Sequence, residues 1–323
     1  MKRSTKMLWR FSVLGVAVLA LACGGGGGGG GEETVAASSA QVGQALTVFD
    51  ASVNGAFTAF DAGTSAAFTS SVRASAMAGA MTTSGAAVVA MGMGPGHLDL
   101  DPASCDGSGS VATHMQWTDF DPDTECFDGM SLTLDFAQCK PATDQSLHGQ
   151  MAMSFGGSTC DPTSVAVDFS DVAMTVPEGT VSGDFTMAMT GMAFVGDPVD
   201  FNVSAGTMTF DGRMKMVGSG FGTMDMDMDR VAFHFDDATA SGDLNGTLTV
   251  RCGGKAFPMT FTTEAGALTV DAEGGVIGGH MTVTSHGTTH HVTFNSDDSI
   301  DITSSDGEPV HATVPVAADF CTL

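Results

Sequence analysis

The chain has 323 residues, 37 acidic against 11 basic side chains and a formal charge of −26. Such a surface repels nucleic acid and anionic headgroups, so it excludes binding to either without a bridging divalent cation. A hydrophobic fraction of 43% is enough to fill one large domain or two small ones.

In chain order, the first element is a leader. Lys2, Arg3, Lys6 and Arg10 form a basic start, and Phe11 to Ala22 is a twelve-residue apolar or small run broken only by Ser12. As a helix that run spans about 18 Å, short of the roughly 20 residues a spanning helix needs. It therefore reads as the h-region of an export signal. Leu19-Ala20-Leu21-Ala22-Cys23 resembles a bacterial lipobox, with Ala20 where Leu is usual. The resemblance implies cleavage before Cys23 and acylation of that cysteine. Gly rather than Asp after Cys23 implies, by the same resemblance, sorting to the outer membrane, facing the periplasm or the cell surface. Residues 1–22 thus read as a signal peptide. Removing its four basic residues leaves 7 basic against 37 acidic ones, a formal charge near −30.

Eight glycines follow, Gly24 to Gly31. Polyglycine has nothing to bury and the most backbone entropy to lose, so it is expected to be a flexible coil reaching roughly 16 Å. No phosphate-loop pattern accompanies it. Residues 23–34 read as lipidated cysteine and tether.

Residues 35–90 read as helical, because Phe49, Val53, Phe57 and Phe60 recur at i, i+4, i+8 and i+11. One or two helices resting on a β domain are expected, with breaks at Gly63 and Gly85. An amphipathic helix for a protein partner is the other reading of this stripe. Met91 to Gly96 is a linker.

From residue 97 to 323, period-2 alternation takes over. Met130/Leu132/Leu134/Phe136, Met151/Met153/Phe155, Val165/Val167/Phe169 and Phe185/Met187/Met189 carry it first. Val199/Phe201/Val203, Val231/Phe233/Phe235, Phe257/Met259/Phe261, Leu268/Val270, Met281/Val283, Val292/Phe294 and Ile300/Ile302 continue it. One apolar and one polar face per strand predicts a mainly β fold, a large antiparallel meander sheet, curved or barrel-like. Asn245-Gly246 is the strongest hairpin signal, and Asp128-Gly129 precedes a strand start. At Asp211-Gly212, a three-residue loop through Arg213 would pair Phe210 with Met214 and Met208 with Met216, keeping one face apolar.

The stretch Ser104-Cys105-Asp-Gly-Ser-Gly-Ser110, then Leu132-Thr-Leu-Asp-Phe136 with Cys139, then His148-Gly149-Gln-Met-Ala-Met-Ser-Phe155 resembles uncharacterised Gram-negative lipoproteins. That resemblance covers about 60 residues beyond the lipobox. It implies location and fold and brings no activity.

Six cysteines remain once Cys23 is set aside: Cys105, Cys126, Cys139, Cys160, Cys252 and Cys321. An even count in an exported chain suggests three disulfides out of fifteen connectivities. Proximity favours Cys105–Cys126, Cys139–Cys160 and Cys252–Cys321. No C-x-x-C is present, so neither a redox pair nor a zinc ribbon is indicated.

Three clusters carry ligand chemistry. His280, His286 and His291 fall on one expected hairpin. A Gly287-Thr288 turn would pair Val283 with Val292 and Met281 with Phe294, leaving the three imidazoles on the solvated face for Zn or Cu, and His290 on the apolar side. Met224, Met226 and Met228 share one strand face and are soft ligands for Cu(I), or equally well core filling. Asp119, Asp121, Asp123 and Glu125 alternate as a candidate Ca²⁺ loop, or as a solvated acidic one.

Nucleophile-elbow, zincin and S-x-x-K motifs are all missing, so an enzyme is unsupported and no catalytic residue is assigned. The expected role is a membrane-anchored binding or structural lipoprotein, with a protein partner unknown. The alternatives are carriage of a lipid or other hydrophobic ligand, and Met/His metal binding.

Overall fold

The computed structural model describes residues 32–46, 95–105, 107–121, 123, 126–140, 146–159, 161–176, 179–194, 203–218, 222–270, 276–296, 299–305, 309–313 and 320. Most are in strands, and nearly all strand pairs are antiparallel. The chain forms two compact units. Unit 1 takes residues 1–54 and 204–323, and unit 2 takes 55–203.

Unit 1 opens with strand β1 (Glu33–Thr34) and helix α1 (39–46). Unit 2 comprises β2 (Gly96–Ser104), β3 (Ser108–Trp117), β4 (Asp119–Asp121), β5 (Cys126–Asp128), β6 (Ser131–Lys140), β7 (Ser146–Ser158), β8 (Asp161–Val176) and β9 (Gly179–Phe194). Each pairs with its successor, except that β3 runs on into β4 and β5 into β6. The two composite strands form one long hairpin, β3 on β6 and β4 on β5. Unit 1 resumes with β10 (Val203–Gly218), β11 (Gly222–Asp236), β12 (Ser241–Cys252), β13 (Lys255–Thr262), β14 (Leu268–Val270), β15 (Val276–Ser285), β16 (Thr288–Phe294), β17 (Ser299–Ser304) and β18 (Val310–Thr313). It too is a meander. β13 and β14 share both neighbours, β12 and β15, so they act as one strand interrupted at 263–267.

The expected strands that fall on described residues are present. Val199 and Phe201 lie outside them, as do residues 47–90 of the expected helical segment. Of that segment only 39–46 is described as helical. Ser38 and Gln41 form its capping box: the Ser38 amide donates to Gln41 Oε1 at 2.9 Å and the Gln41 amide to Ser38 Oγ at 3.2 Å. The helix does not rest on an outer surface. Val42 and Ala45 are buried, as are Gln41 and Gln44. A Cβ on Gly43 would stand 3.1 Å from Ile302 Cδ1 of β17.

Long strands must bend, and both units do so with the same device. In β11 the buried set changes phase, from Met224, Met226 and Met228 to Val231, Phe233 and Phe235. The extra residue is taken up at Arg230, in the left-handed region at φ 48°. Both neighbours meet this bulge with glycines at positive φ, Gly212 on β10 and Gly246 on β12. In β8 the same change occurs at Asp171 (φ 50°), flanked by Gly149 on β7 and Gly183 on β9. A Cβ on Gly149 would lie 2.2 Å from the Asp171 carbonyl oxygen, and one on Gly246 would lie 2.4 Å from that of Arg230. A residue with a side chain does not fit there.

Two expected turns are therefore corrected. Asn245-Gly246 sits in the middle of β12, not in a hairpin loop. The glycine answers the Arg230 bulge, while Asn245 Oδ1 accepts the Thr263 amide at 3.0 Å. Asp211-Gly212 lies inside β10, whose Met214 and Met216 pair with Met226 and Met224 of β11, not with Phe210 and Met208.

Candidate functional site

A polar cluster on a solvated face lies in unit 2. Register sets Asp99 of β2 directly opposite His114 of β3, and Asp135 of β6 directly opposite Gln150 of β7. His114 Nδ1 stands 2.8 Å from Asp99 Oδ1, and its Nε2 stands 3.4 Å from Asp135 Oδ2. Gln150 Nε2 donates to Asp135 Oδ1 at 2.7 Å. The hydrogen bond to Asp99 is the main cause that holds the His114 pKa above its ordinary 6.5, with the two carboxylate charges adding to it. A carboxylate at each nitrogen favours the imidazolium form, in which the ring has no lone pair to offer a metal or a substrate proton. No sequence pattern singled out this trio. The signal was its alternation with the apolar positions Leu98, Val111 and Leu134 along three strands that had first to be put in register. In unit 1, His311 Nδ1 likewise meets Asp301, whose carboxyl is held below its usual range chiefly by that contact and by Asn295.

The histidine hairpin forms, with its turn one residue earlier than expected. His286 and Gly287 are the two loop residues, at φ 45° and 91°, the type I′ geometry that matches strand twist. Met281 consequently pairs with Val292, and Val283 with His290. His280 and His291 stay on the solvated face, but His286 is carried to the tip. The structure does not bring the three together: among the described residues, no three His, Cys, Asp or Glu side chains form a group able to hold a metal ion. His290 is fully buried, its Nδ1 3.3 Å from Ser39 Oγ of α1.

Met224, Met226 and Met228 are all buried. Register packs them against Met214, Met216, Leu248 and Val250, so the stripe is core. In the acidic stretch, Asp119 Oδ1 accepts the Phe120 amide and Asp121 Oδ1 the Asp123 amide, each at 2.9 Å. Each of these two carboxylates accepts a bond from its own local backbone, and Glu125 lies outside the described residues.

The cysteine pairing differs from the proximity expectation. Cys105 is bonded to Cys139, which rules out both Cys105–Cys126 and Cys139–Cys160. The β3–β6 pairing is the reason. Ser108 lies opposite Lys140, and the Gly107 amide donates to the Lys140 carbonyl at 2.8 Å, so the segments flanking that end of the hairpin meet there. Cys126 and Cys252 are also disulfide-bonded. Cys23, Cys160 and Cys321 lie outside the described residues.

The last feature is where the chain enters unit 1. Glu33 and Thr34 run parallel to β13, opposite Lys255 and Ala256. The Glu33 amide donates to the Gly254 carbonyl at 3.2 Å, and the Val35 amide to that of Ala256 at 3.0 Å. β15 reaches only Thr260 to Thr262 of β13, so β1 covers a stretch of edge that would otherwise be open. Arg251 fastens the start of the segment. Its Nε is 3.2 Å from Glu32 Oε2 and its Nη1 2.9 Å from Asp227 Oδ2.

No family model, curated protein or solved structure matches this chain. No helix among the described residues is long and apolar enough to cross a membrane.

Proposed function

We propose that this chain is a membrane-anchored bacterial lipoprotein whose β units serve a non-enzymatic binding or structural role. Acylated Cys23 is the anchor, and outer-membrane location follows from Gly24. The observation that carries this reading is the way unit 1 begins. Directly after the eight glycines, Glu32 is held by Arg251 and Glu33 and Thr34 are paired onto β13. The polyglycine then has one job left, to link Cys23 to a folded body that needs no further support from it.

Metal carriage loses support, because the methionine stripe is core and the three histidines do not converge. Carriage of a lipid inside unit 1 loses support as well, because the apolar face there is filled by its own methionines and covered in part by α1. The test is fractionation of the producing bacterium. The wild-type chain is expected in the membrane fraction and Cys23→Ser in the soluble exported fraction. Equal membrane association of the two would overturn the reading.

A further inference from the structure

We propose that unit 1 stands on the membrane by one defined end, the end bearing the Gly253-Gly254 turn, and that this end is its lipid-facing surface. The inference rests on the lipid-anchor reading and adds an orientation to it.

The topology divides the loops of unit 1 between two ends. The links β10–β11, β12–β13, β15–β16 and β17–β18 lie at one end, and β11–β12, β14–β15 and β16–β17 at the other. β1 pairs with the first two residues of β13 and runs parallel to it, so the chain before Glu32 leaves at the first end, beside Gly254. Eight glycines allow a root-mean-square reach of roughly 16 Å and at most about 29 Å when fully extended. Were the unit to stand on its other end, Glu32 would be held beyond the tether's range. β12 alone has 12 residues, about 40 Å of strand at roughly 3.3 Å per residue.

Charge separates the same two ends. Asp211, Asp229 and Arg230 sit at the mid-strand bulge that divides unit 1; on its tether side Arg213, Lys215, Arg251 and Lys255 are balanced against Glu32, Glu33, Asp225 and Asp227. Several of these neutralise one another directly, as in Arg213 with Asp227 and Arg251 with Asp227 and Glu32. The far half has Asp236, Asp237, Asp243, Glu264 and Asp301, with no Lys or Arg among its described residues. By sequence alone, the residues joining β17 to β18 include two acids, and those joining β14 to β15 and β16 to β17 together include four. In a chain of formal charge −26 the near end is thus the one a negatively charged leaflet repels least. This acts within a Debye length of about 8 Å at physiological salt, and of the two ends it is the near one that an upright unit can bring that close. Tether position and charge come from different residues and select the same end.

Lysine acylation reads the orientation. After the signal peptide the chain has three lysines, Lys140, Lys215 and Lys255. Lys255 is exposed at the proposed surface, and Ala238→Lys adds a reporter at an exposed position of the far end. The full mature lipoprotein carrying Ala238→Lys is reconstituted in phosphatidylcholine/phosphatidylglycerol vesicles. It is labelled with a membrane-impermeant sulfonated acylating ester and quantified by peptide mass spectrometry against the soluble Cys23→Ser form. The ratio of Lys255 labelling to reporter labelling is expected to fall at least threefold on vesicles. An unchanged or increased ratio on protein whose Cys23 carries lipid overturns the orientation and leaves the anchor intact. Absence of lipid on Cys23 overturns both.

Discussion

Gly149→Ala tests the bulge-and-glycine reasoning. Gly149 has φ 105°, and an added Cβ would stand 2.2 Å from the Asp171 carbonyl oxygen and 2.7 Å from Val172 Cα, both backbone atoms of β8. Holding a non-glycine residue in that region costs about 1–3 kcal/mol. Forcing two hydrogen-bonded strands apart adds overpacking strain of about 1–3 kcal/mol, so the substitution is expected to cost about 4 kcal/mol. Gly191→Ala in β9 is the control. Gly191 has φ 63° with open space around the added Cβ, so only the left-handed penalty of about 1–2 kcal/mol applies. Trp117, buried against Phe127 at a 5.3 Å centroid distance, is the sole tryptophan after the signal peptide and reports on unit 2 alone. Urea unfolding followed by its fluorescence, at a slope of about 2 kcal/mol/M, should show midpoint losses of about 2 M for Gly149→Ala and under about 1 M for Gly191→Ala. Equal losses would refute the claim that the β8 backbone is what excludes a side chain at 149.

Replacing both Cys105 and Cys139 by serine opens a loop with a sequence separation of 34. It should cost about 4 kcal/mol by chain entropy, read by the same fluorescence. A Cys105→Ser/Cys126→Ser pair should instead expose two new free thiols to titration, because its two cysteines have different partners. The His114 ring should titrate above 6.5 by NMR and fall back toward it in Asp99→Asn. Since the folded value is raised, the stability this group contributes is complete below the unfolded pKa of about 6.5 and is lost as pH rises through the folded value. A ring that titrates below 6.5 would contradict the geometry. Zinc titration of the folded protein should be unchanged by the combined His280→Ala, His286→Ala and His291→Ala variant; a lost stoichiometric site would restore the metal reading.

The strands were legible because the face a side chain takes in a sheet depends only on alternation along its own strand. Val165/Val167/Phe169 and Met281/Val283 needed no knowledge of a partner. The errors lie where the cause sits on a neighbouring strand. Asn245-Gly246 has the composition of a turn, yet the demand for glycine comes from the Arg230 carbonyl across the ladder. Arg230 and Gln138 adopt left-handed conformations that nothing in their own identities announces, and Asp171 one that an aspartate tolerates without marking. The disulfide followed strand pairing, not separation along the chain, so Cys105 found Cys139 before Cys126. The His114 trio needed three strands in register before its carboxylates could be seen to flank one ring. The capping box at Ser38 and Gln41 was readable locally, and a period-3.6 reading centred on residues 49–60 passed over it.

The central claim is that Cys23 is the mature N-terminus and carries the membrane anchor. Mass spectrometry of the protein extracted from bacterial membranes tests it most directly. The account predicts a chain that begins at Cys23 with a diacylglyceryl group on its sulfur. A chain that retains residues 1–22, or one cleaved elsewhere without lipid, would contradict it.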